Sequence, residues 1–256
     1  MTTKRIIGKI DLKGINVIKG KRFEGLRVID SLEKFLLDRC NEEIVDEIYL
    51  NNITGSLYET EFNLDLLKNV CDLVDIPITV QGGINNINQV ENFFKNGASR
   101  VALNTAILKN QISLKHLFDE FGSQAIIFSP SIRISKGDEP KFYINAGREI
   151  AFTEIKNPYD YISSLIDTGL IELSIRLIDF DGVNTLLDTQ SKKCISKLAA
   201  MNIDLVVSGS MHLELNYLDA LNYGCQGLSL SSMYIYDYAN IKNLRKKISE
   251  IYEVRI

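Results

Sequence analysis

The sequence predicts an α/β fold, and within that class a single (β/α)₈ barrel. Eight short runs rich in β-branched residues alternate with longer amphipathic stretches, as expected for parallel strands joined by crossover helices. A chain of 256 residues has the length of one such barrel, and eight units favour a closed barrel over an open doubly wound sheet. Since no linker or low-complexity stretch interrupts the pattern, we expect one domain over residues 1–256.

The elements follow from the spacing of the apolar residues. Strands are predicted, in chain order, at Arg5–Ile10, Glu47–Asn51, Ile78–Val80, Arg100–Leu103, Ala125–Phe128, Glu172–Ile178, Leu205–Ser208 and Gly227–Ser231. Helices are predicted where apolar residues recur at three- and four-residue spacing, including Ser31–Cys40, Asn63–Val74, Ile87–Asn96 and Tyr159–Thr168.

A repeated pattern predicts that the barrel consists of two similar halves. The segment TVQGGI followed by VALNTA in the first half corresponds to VVSGSM followed by LSLSSM in the second. Each pair reads as a strand, a Gly-containing loop, a second strand and polar residues. This predicts a half-barrel repeat with matching polar loops at the C-terminal face.

Composition narrows the functional classes. The net charge of −4 gives no basic surface for nucleic acid, whereas a phosphorylated small molecule needs only a local positive site. The four cysteines form no C-x-x-C pair and the two histidines lie far apart, so we expect no metal and no other cofactor. No apolar run has the length of a membrane span or of a signal-peptide core, so we expect a cytoplasmic protein without a membrane partner.

Two sets of loop residues are candidates for binding phosphate, because glycines let backbone N–H groups approach an anion and polar side chains add hydrogen bonds. The first set is Gly82, Gly83, Asn104 and Thr105. The second set, after the sixth, seventh and eighth predicted strands, is Asp181, Gly182, Gly209, Ser210, Ser231 and Ser232. Ordinary tight turns are the alternative for either set, but two phosphate sites at one mouth suit a substrate phosphorylated at both ends.

Asp11 and Lys19 are candidates for chemistry at the same face. Asp11 ends the first predicted strand, where a carboxylate can act as a general acid or base or can simply cap a turn. Lys19 follows in the polar segment KGKRFEGLR, which is typical of a mobile lid, although a single loop lysine is often merely solvated.

Four charged residues begin predicted strands at the opposite end of the barrel. They are Arg5, Glu47, Arg100 and Glu172. In a barrel they form a ring of alternating charge at the bottom, and from the residues alone a stabilising salt-bridged plug is the favoured interpretation.

Taken together, these segments make the chain resemble the cyclase subunit family of imidazole glycerol phosphate synthase over essentially its whole length. The resemblance is carried by KRIIGKIDLKG, VIKGKRFEGLR, DEIYLNNITGS, DIPITVQGGI, GASRVALNTA, FGSQAII and IDFDG.

The resemblance implies a role for most of the candidate residues. Asp11 matches a catalytic carboxylate and Lys19 the lysine of the mobile first loop. Gly83, Asn104 and Thr105 match one phosphate site, Gly182 and Ser232 the other, and Arg5, Glu47, Arg100 and Glu172 the ring that gates an ammonia path. The resemblance further implies a separate glutaminase subunit at the N-terminal barrel face, a phosphorylated small-molecule substrate, and no cofactor.

Several positions depart from the family pattern. Ser131 stands where the second catalytic aspartate is expected, and a hydroxyl does not titrate near neutral pH. Asn52 replaces an aspartate, Arg176 a threonine, and both Gln81 and Ser210 a glycine. Loss of an essential acid or base costs ~10²–10⁴-fold in rate.

These departures lead us to expect a diverged paralogue that supports sugar amidation in surface-polysaccharide synthesis, with a sugar amidotransferase as a possible further partner. The alternatives are the genuine cyclase of histidine biosynthesis, which makes imidazole glycerol phosphate and an aminoimidazole carboxamide ribotide, and a barrel that binds a phosphate ligand without chemistry.

Overall fold

In the computed structural model the chain forms a closed barrel of eight parallel strands surrounded by helices, as the sequence predicts. The structure describes residues 3–39, 44–134, 139–152, 156–209 and 213–254. The strands are β1 (Arg5–Lys13), β2 (Asn16–Lys21), β3 (Glu24–Ser31), β4 (Glu47–Asn52), β5 (Ile78–Gln81), β6 (Arg100–Leu103), β7 (Ile126–Phe128), β8 (Ser131–Arg133), β9 (Lys141–Ile144), β10 (Glu149–Ile150), β11 (Glu172–Leu177), β12 (Asp204–Ser208) and β13 (Gly227–Leu230). The helices are α1 (Leu32–Leu37), α2 (Gly55–Tyr58), α3 (Leu64–Leu73), α4 (Ile87–Lys95), α5 (Thr105–Leu108), α6 (Leu114–Phe121), α7 (Pro158–Thr168), α8 (Thr189–Ala199), α9 (Glu214–Asn222), α10 (Ser232–Tyr236) and α11 (Tyr238–Ser249), with 3₁₀ turns at Ser123–Ala125 and Ile178–Phe180.

The barrel closes because β1 pairs in parallel with β4 on one side and β13 on the other. The remaining barrel strands follow in the order β5, β6, β7 with β8, β11 and β12. In the fifth position β7 and β8 form one interrupted strand, because Pro130 has no N–H to donate to a ladder. The Pro130 carbonyl oxygen instead accepts a hydrogen bond from the backbone N–H of Arg176 at 3.0 Å.

The segment predicted to be a lid is an antiparallel hairpin of β2 and β3. Arg22 and Phe23, at its tip, have φ values of 51° and 67°, in the left-handed region that L-residues rarely adopt. The helix predicted at Ser31–Cys40 is shorter, at Leu32–Leu37, and Cys40 lies outside the described residues. The hairpin lies over the C-terminal mouth of the barrel, where the candidate residues gather.

Several helices begin at side chains that accept a hydrogen bond from their first turn. Asn63, Asn86, Asn157 and Asp188 cap α3, α4, α7 and α8 in this way. The short helices α5 and α10 follow β6 and β13, the corresponding strands of the two halves, as the repeat predicts. No described helix has both the length and the apolar character needed to cross a bilayer.

Side chains that point into the barrel stack in layers, each contributed by alternate strands. A small apolar cluster inside the barrel is separate from the core between strands and helices. Its members are Ile7, Tyr49, Ala102, Ile127 and Val206. This cluster divides the charged bottom of the barrel from a polar upper half.

Candidate functional site at the barrel mouth

Asp11 lies at the centre of the mouth and is almost completely buried. Arg176 donates to its carboxylate through both terminal nitrogens, at 2.8 and 3.3 Å, and Asn51 donates through Nδ2 at 2.6 Å. Lys19 Nζ lies 3.5 Å from Oδ2 of the same carboxylate, the oxygen that also accepts from Arg176 Nη2. Asp11 is therefore held by three side chains from β2, β4 and β11.

Asp181 completes a buried charge cluster with Asp11. Lys19 Nζ lies 2.9 Å from one of its carboxylate oxygens and Arg176 Nη2 lies 3.2 Å from the other. Burial alone would raise the pKa of Asp11, but Arg176 and then Lys19 hold that pKa well below its usual range. Asp11 is thus a permanently ionised carboxylate and not a proton donor near neutral pH.

Arg176 is the residue whose importance the sequence did not reveal. In the sequence it is only a departure from the family pattern, but the structure places its guanidinium between Asp11 and Asp181, with the Phe23 ring 4.3 Å away. Burial lowers the pKa of this guanidinium, and the two carboxylates raise it by more. The only sequence signal was a charged residue at an inward position of a barrel strand.

Ser131 lies beside Arg176, since these two residues are register partners on β8 and β11. It is 8% exposed and lines a pocket at the mouth together with Arg176 and Gln81. The second acid expected at this position is therefore replaced by a hydroxyl next to a permanent cation.

The first candidate phosphate set lines this same pocket. Gly82 and Gly83 have φ values of 94° and 75°, and a Cβ on Gly82 would come within 2.2 Å of the Asn52 carbonyl oxygen. Asn104 donates through Nδ2 to the carbonyl of Tyr143 at 3.0 Å. The two glycines are thus required by the turn itself, which also leaves backbone close to the pocket.

Two members of the second candidate set, Asp181 and Gly182, lie against the hairpin. Gly182 has a φ of 69°, and a Cβ there would come within 2.5 Å of the Gly20 carbonyl oxygen. Within the described part of the chain, the buried hydroxyls of Ser231 and Ser232 have no hydrogen-bond partner. Gly209 packs near Leu177 and Phe180, and Ser210 lies outside the described residues.

Lys19 is not the solvated loop lysine that was the alternative for it. It is 3% exposed and sits on β2, where it contacts both Asp11 and Asp181. Phe23 packs on Arg176, and the backbone N–H of Arg22 donates to the Asp181 carbonyl at 2.9 Å. Three residues of the hairpin therefore fasten it to the charge cluster.

The four charges at the bottom form a closed ring. Arg5 lies 3.5 Å from Glu47 and 2.8 Å from Glu172, and Arg100 contacts the same two carboxylates. The Tyr49 hydroxyl donates to Glu172 at 3.0 Å. Burial raises the pKa of Glu47 although Arg100 and Arg5 oppose the shift. The ring is built as the sequence predicts, and its use as a gate remains a prediction.

The fold and the site place the chain in a broad class, the (β/α)₈ barrel proteins with a polar, glycine-framed mouth. Comparison with known families is more specific: residues 5–233 match the family described as "Histidine biosynthesis protein". The chain belongs to this family.

Several relatives carry the name imidazole glycerol phosphate synthase subunit HisF. The protein of Alkaliphilus metalliredigens is 29% identical over 253 residues, which cover 98% of each chain. That of Dictyoglomus thermophilum is 29% identical over 250 residues, covering 98% of this chain and 97% of its own. That of Legionella pneumophila is 29% identical over 211 residues, covering 82% and 97%.

Proposed function

We propose that this chain is the barrel subunit of a glutamine-dependent synthase of the imidazole glycerol phosphate synthase type. It receives ammonia from a separate glutaminase subunit at the N-terminal barrel face and delivers it to a phosphorylated acceptor at the mouth. Family membership and the nearly full-length similarity to HisF subunits support the proposal. The observation that carries it is the pairing, in one barrel, of a closed charged ring with a pocket framed by Gly82 and Gly83.

The relatives favour the histidine-pathway intermediate as the acceptor. The relatives described above are HisF subunits, and none of those names concerns sugar amidation or surface polysaccharides. We therefore place the cyclase reaction of histidine biosynthesis ahead of sugar amidation as the function of this chain. The products are then imidazole glycerol phosphate and the aminoimidazole carboxamide ribotide.

One observation keeps a second acceptor under consideration. Arg176 engages the Asp11 carboxylate with two hydrogen bonds, and Ser131 supplies no second acid. Without an acid–base pair the cyclase is expected to be slower by ~10²–10⁴-fold. An acceptor whose amidation requires no such pair, such as an activated sugar, suits this centre better.

Turnover of the bis-phosphorylated ribulosyl intermediate with ammonium chloride separates the two acceptors. For the cyclase we expect slow formation of imidazole glycerol phosphate by the purified chain, and faster formation by the double variant Ser131→Asp, Arg176→Thr. Arg133→Thr is the matched control, because Arg133 is an arginine at the same face that pairs with Asp179 instead of Asp11. The double variant leaves the buried Asp11 and Asp181 without Arg176, so its fold is first checked by circular dichroism. No product from the wild type or from a folded double variant would exclude the cyclase and leave the second acceptor.

The broader proposal, that this chain is the barrel subunit of a glutamine-dependent synthase, has its own test. A glutaminase subunit from the same organism is purified alone and mixed with the barrel, and its glutamine hydrolysis is measured. We expect hydrolysis to rise when the two are mixed. If the two proteins form no complex and hydrolysis is unchanged, the chain is not a synthase subunit of this type.

A further inference from the structure

Lys9 is a buried lysine that has no role in the proposed chemistry. It lies on β1 between Ile7 and Asp11, both of which also face the barrel interior, and it is 1% exposed. Among the residues that the structure describes, its Nζ atom has no hydrogen-bond partner. A lysine amine without a partner in a barrel interior is costly to keep, so its presence calls for a reason.

The strand register identifies what surrounds Lys9. Because each successive strand is displaced by the shear of the barrel, alternate strands place Gln81, Ser129 and Ser208 in the layer of Lys9. The hydrogen bond from Gln81 Nε2 to Ser129 Oγ, at 2.8 Å, agrees with this placement. The layer beneath holds Ser174 and Ser229, together with two members of the apolar cluster.

Several of these neighbours share the condition of Lys9. Within the described chain, Gln81 Oε1 and the hydroxyls of Ser174 and Ser229 are buried and have no hydrogen-bond partner. Ser208 differs, since its hydroxyl donates to the Ile175 carbonyl at 3.0 Å. A set of polar atoms from four strands therefore faces the same part of the interior with unused hydrogen-bonding capacity, which native interiors rarely tolerate without a ligand or water.

The charges that face Lys9 already balance without it. Asp11 and Asp181 are matched by Arg176 and Lys19 in the cluster directly above. Burial, followed by the repulsion of Arg176, lowers the pKa of Lys9 to about 7. Above neutral pH the amine is thus uncharged and offers a lone pair as well as two N–H donors.

We propose that Lys9, with Ser174, Ser229 and Gln81, forms a site that holds one molecule of ammonia inside the barrel, midway between the charged ring and the mouth. The inference rests on the proposed function for the identity of its ligand. Ammonia is a small neutral molecule with three donors and one acceptor, and the site offers lone pairs on Lys9, Gln81 and two hydroxyls, with hydroxyl and amine donors for its own lone pair.

The same geometry rejects the ammonium ion. A cation at this level would add a positive charge to a cluster whose carboxylates are already matched by Arg176 and Lys19. It could donate to the same lone pairs as ammonia, but it would find no unmatched carboxylate in a region closed to solvent, where an uncompensated charge is strongly unfavourable. The site is therefore selective for the nucleophilic form of the nitrogen.

The test measures the Lys9 amine directly and needs neither partner nor acceptor. The full chain is labelled with ¹⁵N at the lysine side chains, and the Lys9 resonance is identified by its loss in Lys9→Met. At pH 8.5 we expect a neutral-amine resonance that shifts saturably with ammonium chloride and not with potassium chloride at equal ionic strength. A charged amine at pH 8.5, or an equal response to both salts, would overturn the inference.

Two serine variants sharpen the result. Ser174→Ala should weaken the response to ammonium chloride at least several-fold, because it removes an unpartnered hydroxyl, whereas Ser208→Ala should leave it unchanged, because that hydroxyl is satisfied by Ile175. Equal effects of the two variants would contradict the assignment.

This outcome is independent of the proposed function. If the chain turns over no acceptor but the Lys9 resonance responds selectively to ammonium chloride, the site stands and the reaction must be reassigned. If turnover is observed but the Lys9 resonance does not respond selectively to ammonium chloride, only the proposed ammonia site is wrong. Where turnover is measurable, Lys9→Met should raise the KM for ammonium with the KM for the acceptor unchanged.

Discussion

At the residue scale, Arg176 changes the chemical role that Asp11 can have. From sequence, Asp11 is a candidate acid or base, and Ser131 marks the loss of its partner. In the structure the Asp11 carboxylate is saturated by Arg176, Asn51 and Lys19. Sequence reasoning singled out Asp11 and Lys19 and noted Arg176 as a departure from the family pattern, but it did not mark Asn51. The contact between Asp11 and Arg176 was not predicted, because the approach of β1 to a residue across the barrel is a tertiary property that no local pattern encodes.

Replacing Arg176 by Met should destabilise the fold by about 3–5 kcal/mol, since it leaves two buried carboxylates with Lys19 as their nearest cation. The loss should shrink between pH 7 and pH 5, because the unpaired carboxyl then has a raised pKa and binds a proton in the folded state. Urea unfolding of the wild type and the variant at pH 7 and at pH 5 measures this loss of stability. Arg133→Met, at a partly exposed ion pair, should change stability by less than about 1 kcal/mol; equal losses would contradict the account.

Lys9 predicts a dependence on pH in a higher range, between pH 7 and pH 9. Its folded-state pKa of about 7 lies below its value of 10.5 in the unfolded chain, so between these values the unfolded chain binds more protons. Stability of the wild type should therefore rise from pH 7 to pH 9 relative to Lys9→Met, by at most about 1.4 kcal/mol per pH unit. Parallel stability curves for the two proteins would show that the amine is charged in the folded state.

At the element scale, the β2–β3 hairpin is the part of the site that can open. Its outer strand, Glu24–Ser31, is largely exposed, whereas Lys19 and Phe23 reach inward to Asp181 and Arg176. Arg22 adds hydrogen bonds to the backbone carbonyls of Asp181 and Asp179. Local opening is thus expected at a lower free energy than unfolding of the barrel.

Phe23→Ala should loosen the hairpin without loosening the barrel. It removes the ring that packs on Arg176 and Gly147, a contact of about 1–2 kcal/mol for a cation near an aromatic face. Limited proteolysis should cut within Glu24–Ser31 several-fold faster, while the thermal midpoint of the barrel changes little. Leu26→Ala, on the exposed strand, is the control; faster cutting there as well would mean that the ring is not the fastening contact.

The hairpin also shows where prediction from sequence ends. Polar composition predicted a lid, but not a pair of strands, because the turn uses Arg22 and Phe23 at positive φ instead of the usual Gly or Asn. The fifth barrel strand was predicted as Ala125–Phe128. Its continuation as Ser131–Arg133 was missed because Pro130 interrupts the run. By contrast, strands without an interrupting proline, such as β1 and β12, were placed within a few residues.

At the scale of the whole molecule, the barrel has two polar ends separated by an apolar layer. The ring and the mouth were both predicted from residues at the beginnings and ends of strands, because parallel strands bring like ends together. Lys9 and its serine neighbours were not predicted, since an inward position in the middle of a strand gives no signal until the register is known.

Removing one ring carboxylate should affect both stability and transfer between the ends. In Glu172→Gln, Arg5, Arg100 and Tyr49 lose a charged acceptor, and we expect a cost of about 1–3 kcal/mol in thermal or urea unfolding. In complex with a glutaminase, product formation from glutamine should fall relative to that from ammonium chloride. Glu91→Gln, at an exposed ion pair with Lys95, should do neither. An unchanged ratio would leave the ring as a structural plug.

The closed hairpin also limits the rate at which a ligand can bind at the barrel mouth. We expect a ligand that reaches the buried Ser231 and Ser232 to enter only after Lys19 and Phe23 have left the charge cluster, and that step involves no ligand. Association should therefore be linear in ligand at low concentration and level off at the rate of hairpin opening, well below the encounter limit. The plateau, read by stopped flow, is then a property of the empty protein and should be the same for every ligand that fits.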